Sequence, residues 1–127
     1  MNNANELFQK AVSRLEYVNE ELNRPEEDVM TFSVCHQTRG IISDFLSAYL
    51  VSKGKDIQSV TDIATLGEMS RELDKQFTAI NLESMICHPG KLENEETYCM
   101  DLSRVRTCLT IANSIKGIVA QSLNVVN

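Results

Sequence analysis

The stretch Cys35-His36-Gln37-Thr38-Arg39-Gly40-Ile41-Ile42-Ser43-Asp44-Phe45-Leu46-Ser47-Ala48-Tyr49-Leu50-Val51-Ser52-Lys53-Gly54 places its apolar side chains at steps of three and four. Wound as an α-helix, it puts Cys35, Thr38, Ile41, Ile42, Phe45, Ala48 and Tyr49 on one face, together with Val34 just upstream. Gly54, between Lys53 and Lys55, is a good C-terminal stop. Upstream, Pro25 suits a first helical turn because it has no amide hydrogen to leave unbonded there. Glu26, Glu27 and Asp28 then complement the positive end of the helix dipole. The pattern predicts one helix over residues 25–52, about 40 Å long, which is enough to act as the spine of a small bundle.

The flanking segments repeat the helical period. Residues 5–22 carry Phe8, Ala11, Val12, Leu15, Val18 and Leu22 on one stripe, with Lys10 and Arg14 on the other side, and Asn23-Arg24-Pro25 breaks the pattern. Residues 62–75 hold Ile63, Leu66, Met69 and Leu73, with Ser59 or Thr61 as cap and Gly67 inside. Phe77-Thr78-Ala79-Ile80 reads as a link to a short helix over 81–87. Pro89-Gly90 reads as a turn, and 91–97, with Glu93, Glu95 and Glu96, as a solvated acidic loop. A last helix starts near Asp101 or Ser103 and reaches Leu123, burying Val105, Cys108, Leu109, Ala112, Ile115, Val119 and Leu123. No segment alternates as a strand would. The expected architecture is all-α, an up-and-down helical bundle of four to five helices in a single domain over 1–127.

Composition fits that architecture. With 127 residues the chain can bury one sizeable core. Its 43% hydrophobic and 24% charged residues are the balance of a globular domain, not of a disordered chain. No apolar run reaches membrane-spanning length and no charged-then-apolar leader opens the chain, so no membrane association and a cytoplasmic location are expected. Cys35, Cys87, Cys99 and Cys108 are accordingly expected as reduced thiols. Twelve Lys plus Arg against eighteen Asp plus Glu give a net charge of -6, which argues against DNA binding and leaves only a local basic site for RNA or a nucleotide.

The segment 35–54 resembles the long second helix of HEPN domains (higher eukaryotes and prokaryotes nucleotide-binding). In that family the helix ends in a pattern like Ala-Leu-Leu-Val-x-x-Gly, which Ala48-Tyr49-Leu50-Val51-Ser52-Lys53-Gly54 matches. The layout is similar along nearly the whole chain, while the motif covers about twenty residues. The resemblance implies a HEPN-like fold, a homodimer, and a nucleotidyltransferase partner of the toxin–antitoxin type. Two family patterns are missing. The Gln-Gln-Ala-x-Glu-Lys stretch is replaced by Arg39-Gly40-Ile41-Ile42-Ser43-Asp44. The ribonuclease motif of an Arg followed four to six residues later by a His has Arg104 and Arg106 but no His after either. The expectation is therefore a non-catalytic dimeric or partner-binding module with no cofactor. The alternative is a divergent ribonuclease or nucleotide-binding protein using the face of His36 and Arg39.

His36, Arg39, Ser43 and Ser47 recur at helical spacing opposite the apolar stripe, where a His beside an Arg can bind phosphate or act as an acid–base pair if a pocket forms. An ordinary solvated face has the same pattern. Arg104 and Arg106 stand where the family's ribonucleases keep their Arg, and also suit plain solubility. Cys87, His88 and Cys99 offer three zinc ligands but no evident fourth and no C-x-x-C spacing, so no metal is expected. Gly40 and Gly117 fall on polar faces of their helices, where close approach of another helix and simple tolerance of the cost explain a glycine equally well. Met30, Met69, Met85 and Met100 read as gap-filling core residues.

Overall fold

The computed structural model describes residues 3–57, 62–80 and 102–123. Among them are four α-helices and two short 3-10 segments, and no strand: α1 Asn3–Leu22, a 3-10 turn Glu26–Asp28, α2 Thr31–Ser52, α3 Ile63–Leu73, a 3-10 segment Lys75–Ala79 and α4 Leu102–Leu123. The all-α bundle expected from the periodicity is the observed fold. The readings of residues 81–101, including the short helix, the Pro89-Gly90 turn and the acidic loop, lie outside the described residues.

The spine is α2, which packs against α1, α3 and α4. Its buried residues exceed the single stripe read from the sequence: Leu46 and Leu50 are buried as well as Val34, Cys35, Thr38, Ile41, Ile42, Phe45, Ala48 and Tyr49. A helix flanked on several sides has little dry-versus-wet asymmetry to display. One hydrophobic cluster joins residues of all four helices, including Phe8, Leu15, Phe45, Leu66, Val105 and Ile115. Phe8 and Phe45 meet with ring centroids 5.4 Å apart, fixing α1 against α2. One turn further along α2, Tyr49 meets Phe77 edge-on at 4.9 Å, and Lys53 Nζ lies 5.6 Å from the Tyr49 ring centroid.

Helix ends differ from the sequence reading for local reasons. Pro25 does not open α2; it starts the separate 3-10 turn, in which Asp28 N–H donates to Pro25 O at 2.8 Å. Met30, with φ −82° and ψ 74°, is the N-cap residue, and its N–H donates to the Glu21 carboxylate at 2.9 Å. A carboxylate from α1 thus supplies negative charge at the start of α2, where the sequence reading placed Glu26, Glu27 and Asp28. The 22 residues of α2 span about 33 Å, not 40. Met30 is also no core residue, being 62% exposed, whereas Met69 packs against the core as expected.

At the far end of α2 the chain stops at Gly54, whose φ is +78°. Gly54 N–H donates to Val51 O at 3.0 Å and Lys55 N–H to Leu50 O at 3.0 Å, the paired bonds of a Schellman motif. α3 is capped by Asp62, whose Oδ2 accepts from Thr65 N–H at 3.0 Å and Thr65 Oγ1 at 2.9 Å, so the cap is neither Ser59 nor Thr61. α3 ends at Leu73 because Asp74 turns extended and caps the next 3-10 segment through Gln76 N–H at 2.9 Å. That segment, Lys75–Ala79, replaces the expected link, and Arg71 Nη2 donates to Ile80 O at 2.9 Å. Gly67 sits buried within an unbroken α3. α4 runs from Leu102 to Leu123 with Val105, Cys108, Leu109, Ala112, Ile115 and Val119 buried, as its stripe predicts, whereas Leu123, at the helix end, is only half-buried against the core. No helix of the described residues is long and apolar enough to cross a membrane.

Candidate functional site: the polar strip of α2 around Gly40

α2 has one strip that the core leaves partly open. Ser33, His36, Gly40, Ser43, Asp44 and Ser47 follow one another at steps of three and four or sit beside such a step, and so share that side of the helix. His36 is exposed; the others, and Arg39 at the edge of the strip, are half-buried. Gln37 Nε2 donates to Ser33 Oγ at 3.2 Å.

α1 lays Arg14 across this strip. Its Nη1 donates to Asp44 Oδ2 at 3.1 Å, with the two side chains 33% and 24% exposed. The guanidinium reaches Asp44 by passing over Gly40. A Cβ at residue 40 would come within 2.7 Å of Arg14 Nη2, 3.2 Å of Nη1 and 3.4 Å of Cζ. The glycine on the polar face of α2 thus faces the tip of an α1 side chain within the same chain. Gly117 differs, because a Cβ there would meet nothing within 4 Å.

Arg14 and Asp44 are the members of the strip that sequence reasoning missed as site residues. A signal was present. α1 and α2 are joined by a short turn, and Arg14 and Gly40 are equidistant from Glu27 within it. An antiparallel helical pair brings such residues together, and a mid-helix glycine opposite an arginine marks the contact.

The five residues singled out from the sequence fall in two places. His36, Arg39 and Ser43 lie along the strip. Arg104 and Arg106 are exposed at the start of α4, where Arg106 Nη2 donates to Leu22 O at 3.4 Å. Leu22 is about 12 Å along α1 from Arg14, so the α4 arginines meet α1 two turns away from the Gly40 contact. Arg106 shares an exposed face with Thr110 and Asn113, as expected. Thr110 Oγ1 donates to Arg106 O at 3.1 Å and Asn113 Nδ2 to Leu109 O at 3.0 Å, so both fold back on their own helix.

Two groups have displaced titrations. The Glu21 carboxyl is held below its ordinary value, first by the Met30 N–H; its partial burial pulls the other way, and Arg24, 3.2 Å away, adds to the lowering. Burial pushes the Tyr49 hydroxyl up, and the nearby Asp74 charge adds to this. Neither lies on the strip. Among the described residues no group of His, Cys, Asp and Glu could hold a metal ion; Cys87, His88 and Cys99 lie outside those residues. Cys35 and Cys108 are buried thiols. The strip thus carries an Arg fork held in place by a carboxylate, with serine side chains on the same side of the helix. No family model matches the chain, and neither a curated protein nor a solved structure is similar to it at a significant level.

Proposed function

We propose that this chain is a HEPN-like, non-catalytic helical module that works as a homodimer or by docking a partner protein, a nucleotidyltransferase of the toxin–antitoxin type, in the cytoplasm. The observation that carries this reading is the end of α2. The residues of the matching pattern form the core-facing close of the long helix: Ala48, Tyr49 and Leu50 are buried, and Gly54 takes the left-handed conformation that ends it. The arginines of α4 have no His after them, which supports placing the chemistry on the partner. Gly117, with open space around it on the exposed side of α4, suits close approach of another helix.

The test is to purify the tagged full chain gently from its native host and identify what accompanies it by mass spectrometry. A stoichiometric nucleotidyltransferase is the expected result. RNA cleavage by the purified chain, abolished by Arg104→Ala or Arg106→Ala, overturns the reading. A second reading, a nucleotide-binding protein using the His36 and Arg39 face, is favoured by one observation, the Arg14–Gly40–Asp44 contact on that face. Nucleotide or RNA retained through purification, and lost in His36→Ala, supports it.

A further inference from the structure

We propose, resting on the partner-docking reading above, that the corner where α1 ends and the chain turns into α2 docks a basic segment of a partner protein, one with Lys or Arg beside apolar residues. Two apolar side chains stand in solvent there. Tyr17 is 56% exposed and Met30 62%, the two most exposed large hydrophobics of the described residues. They flank one carboxylate. Tyr17 lies one turn before Glu21 on the same side of α1, and Met30 N–H donates to the Glu21 carboxylate at 2.9 Å. The core does not use the Met30 side chain; its neighbour Val29 is the one that packs inward. A tyrosine ring and a flexible thioether are side chains enriched at the centres of protein interfaces.

Charge identifies what covers them. Residues 16–28 hold Glu16, Glu20, Glu21, Glu26, Glu27 and Asp28 against a single basic residue, Arg24. The rest of the chain has twelve acids and eleven basic residues, so nearly all of the net charge of -6 belongs to this corner. The fold does not neutralise it. Arg24 pairs with Glu21 at 3.2 Å, whereas Glu16, Glu20, Glu27 and Asp28 are exposed and form no ion pair among the described residues. Glu20 and Glu21 also occupy the last turn of α1, which holds no basic residue. The helix dipole is negative there, so it disfavours a carboxylate and favours a cation. An incoming Lys or Arg relieves both the mutual repulsion of the acids and their conflict with the dipole. The same charge turns away nucleic acid and anionic lipid. Among the described residues no group of His, Cys, Asp and Glu could hold a metal ion, so the acids of this corner do not converge on a small cation. An apolar pair ringed by carboxylates matches a protein segment of the reverse pattern, and its charge also steers such a segment in.

The experiment titrates the ¹⁵N-labelled full chain with a synthetic amphipathic peptide of lysine and leucine, and separately with the same peptide carrying glutamine for every lysine. Saturable amide shifts centred on Tyr17, Glu20, Glu27 and Met30 are expected with the lysine peptide and none with the glutamine peptide. Glu20→Gln with Glu27→Gln raises Kd about threefold or more, the scale of two exposed ion pairs. Glu68→Gln with Glu72→Gln, the same charge change on exposed positions of α3, leaves Kd unchanged. Tyr17→Gln and Met30→Gln each raise Kd about fivefold or more, the scale of an interface anchor, and both positions are exposed, so the fold is retained. Shifts spread equally over Glu68 and Glu72, no saturable shift at the corner, or a Kd unmoved in Tyr17→Gln and Met30→Gln overturns the proposal. So do corner shifts that grow with protein concentration in the absence of peptide, because a second copy of the chain then occupies the surface. Purification from the native host separates this proposal from the reading it rests on. A nucleotidyltransferase that accompanies the native chain and the Tyr17→Gln/Met30→Gln chain equally removes the corner and keeps the reading. Peptide binding at the corner with no nucleotidyltransferase recovered does the reverse.

Discussion

Gly40 and Thr38 lie two residues apart on α2, one under the tip of Arg14 and the other in the core. Alanine in a helix interior is favoured over glycine by about 1 kcal/mol. At residue 40 a methyl group would come 2.7 Å from the Arg14 guanidinium, the far end of a flexible side chain, so Arg14 must shift and its bond to Asp44 is what offsets part of that gain. Gly40→Ala is therefore expected to stabilise by clearly less than the full helix-propensity gain, whereas in an Arg14→Ala background the same change stabilises by about 1 kcal/mol. Urea unfolding of the four proteins of this cycle decides it; equal effects of Gly40→Ala in both backgrounds would remove the steric account. Thr38 is fully buried and its hydroxyl has no partner among the described residues. Thr38→Val removes a desolvated donor at nearly constant shape and is expected to stabilise by about 1 kcal/mol. A lower urea midpoint for that variant would show that the hydroxyl is satisfied after all.

At the scale of elements, the join between α1 and α2 depends on Glu21. Its carboxylate accepts from Met30 N–H at the start of α2 and from Arg24 in the turn. No side chain of α2's own N-cap residue does this job. Because the carboxyl is held below its ordinary value in the fold, it contributes stability that is fully present above the ordinary value and is lost as pH falls through the lowered one. Glu21→Gln should thus melt below the native chain at neutral pH, and the gap should close on acidification. Thermal melts at neutral pH and at pH values through the carboxylate range test the sign; a gap that widens in acid contradicts it. The same contact shows why the reading of one helix over residues 25–52 was too long. Pro25 and the acids after it are good helix-start residues taken locally, but a proline also starts a 3-10 turn, and only the position of Glu21 makes Met30 the cap.

The whole molecule is organised around α2, which touches every other helix described. Damage at its centre is accordingly global. Phe45 is fully buried and packed at a tilt against Phe8, so Phe45→Ala is expected to cost about 3–5 kcal/mol, a large part of the stability of a domain this size. Far-UV and near-UV circular dichroism should lose signal together in urea for the variant as for the native chain. A loss of near-UV signal alone would mean that α1 detaches while α2 keeps its other neighbours.

The all-α class, α1, α4 and the stop at Gly54 were legible in the sequence because each is set by periodicity or by a local backbone requirement. Helical stripes register burial on one side, and a left-handed residue at a helix end calls for glycine wherever the rest of the chain goes. His36, Arg39 and Ser43 could be placed together for the same reason, since they sit on one helix. The tertiary structure alone decided what spacing within a helix does not encode. It buried Leu46 and Leu50 by surrounding α2, gave the N-terminal cap of α2 to a carboxylate from α1, and left Met30 in solvent. It also brought Arg14 over Gly40 and onto Asp44, across 30 positions of chain, while keeping Arg106 at the end of α1. Contacts between helices depend on which faces meet and at what register. That is fixed by packing the common core, not by the local preferences of the residues that end up touching.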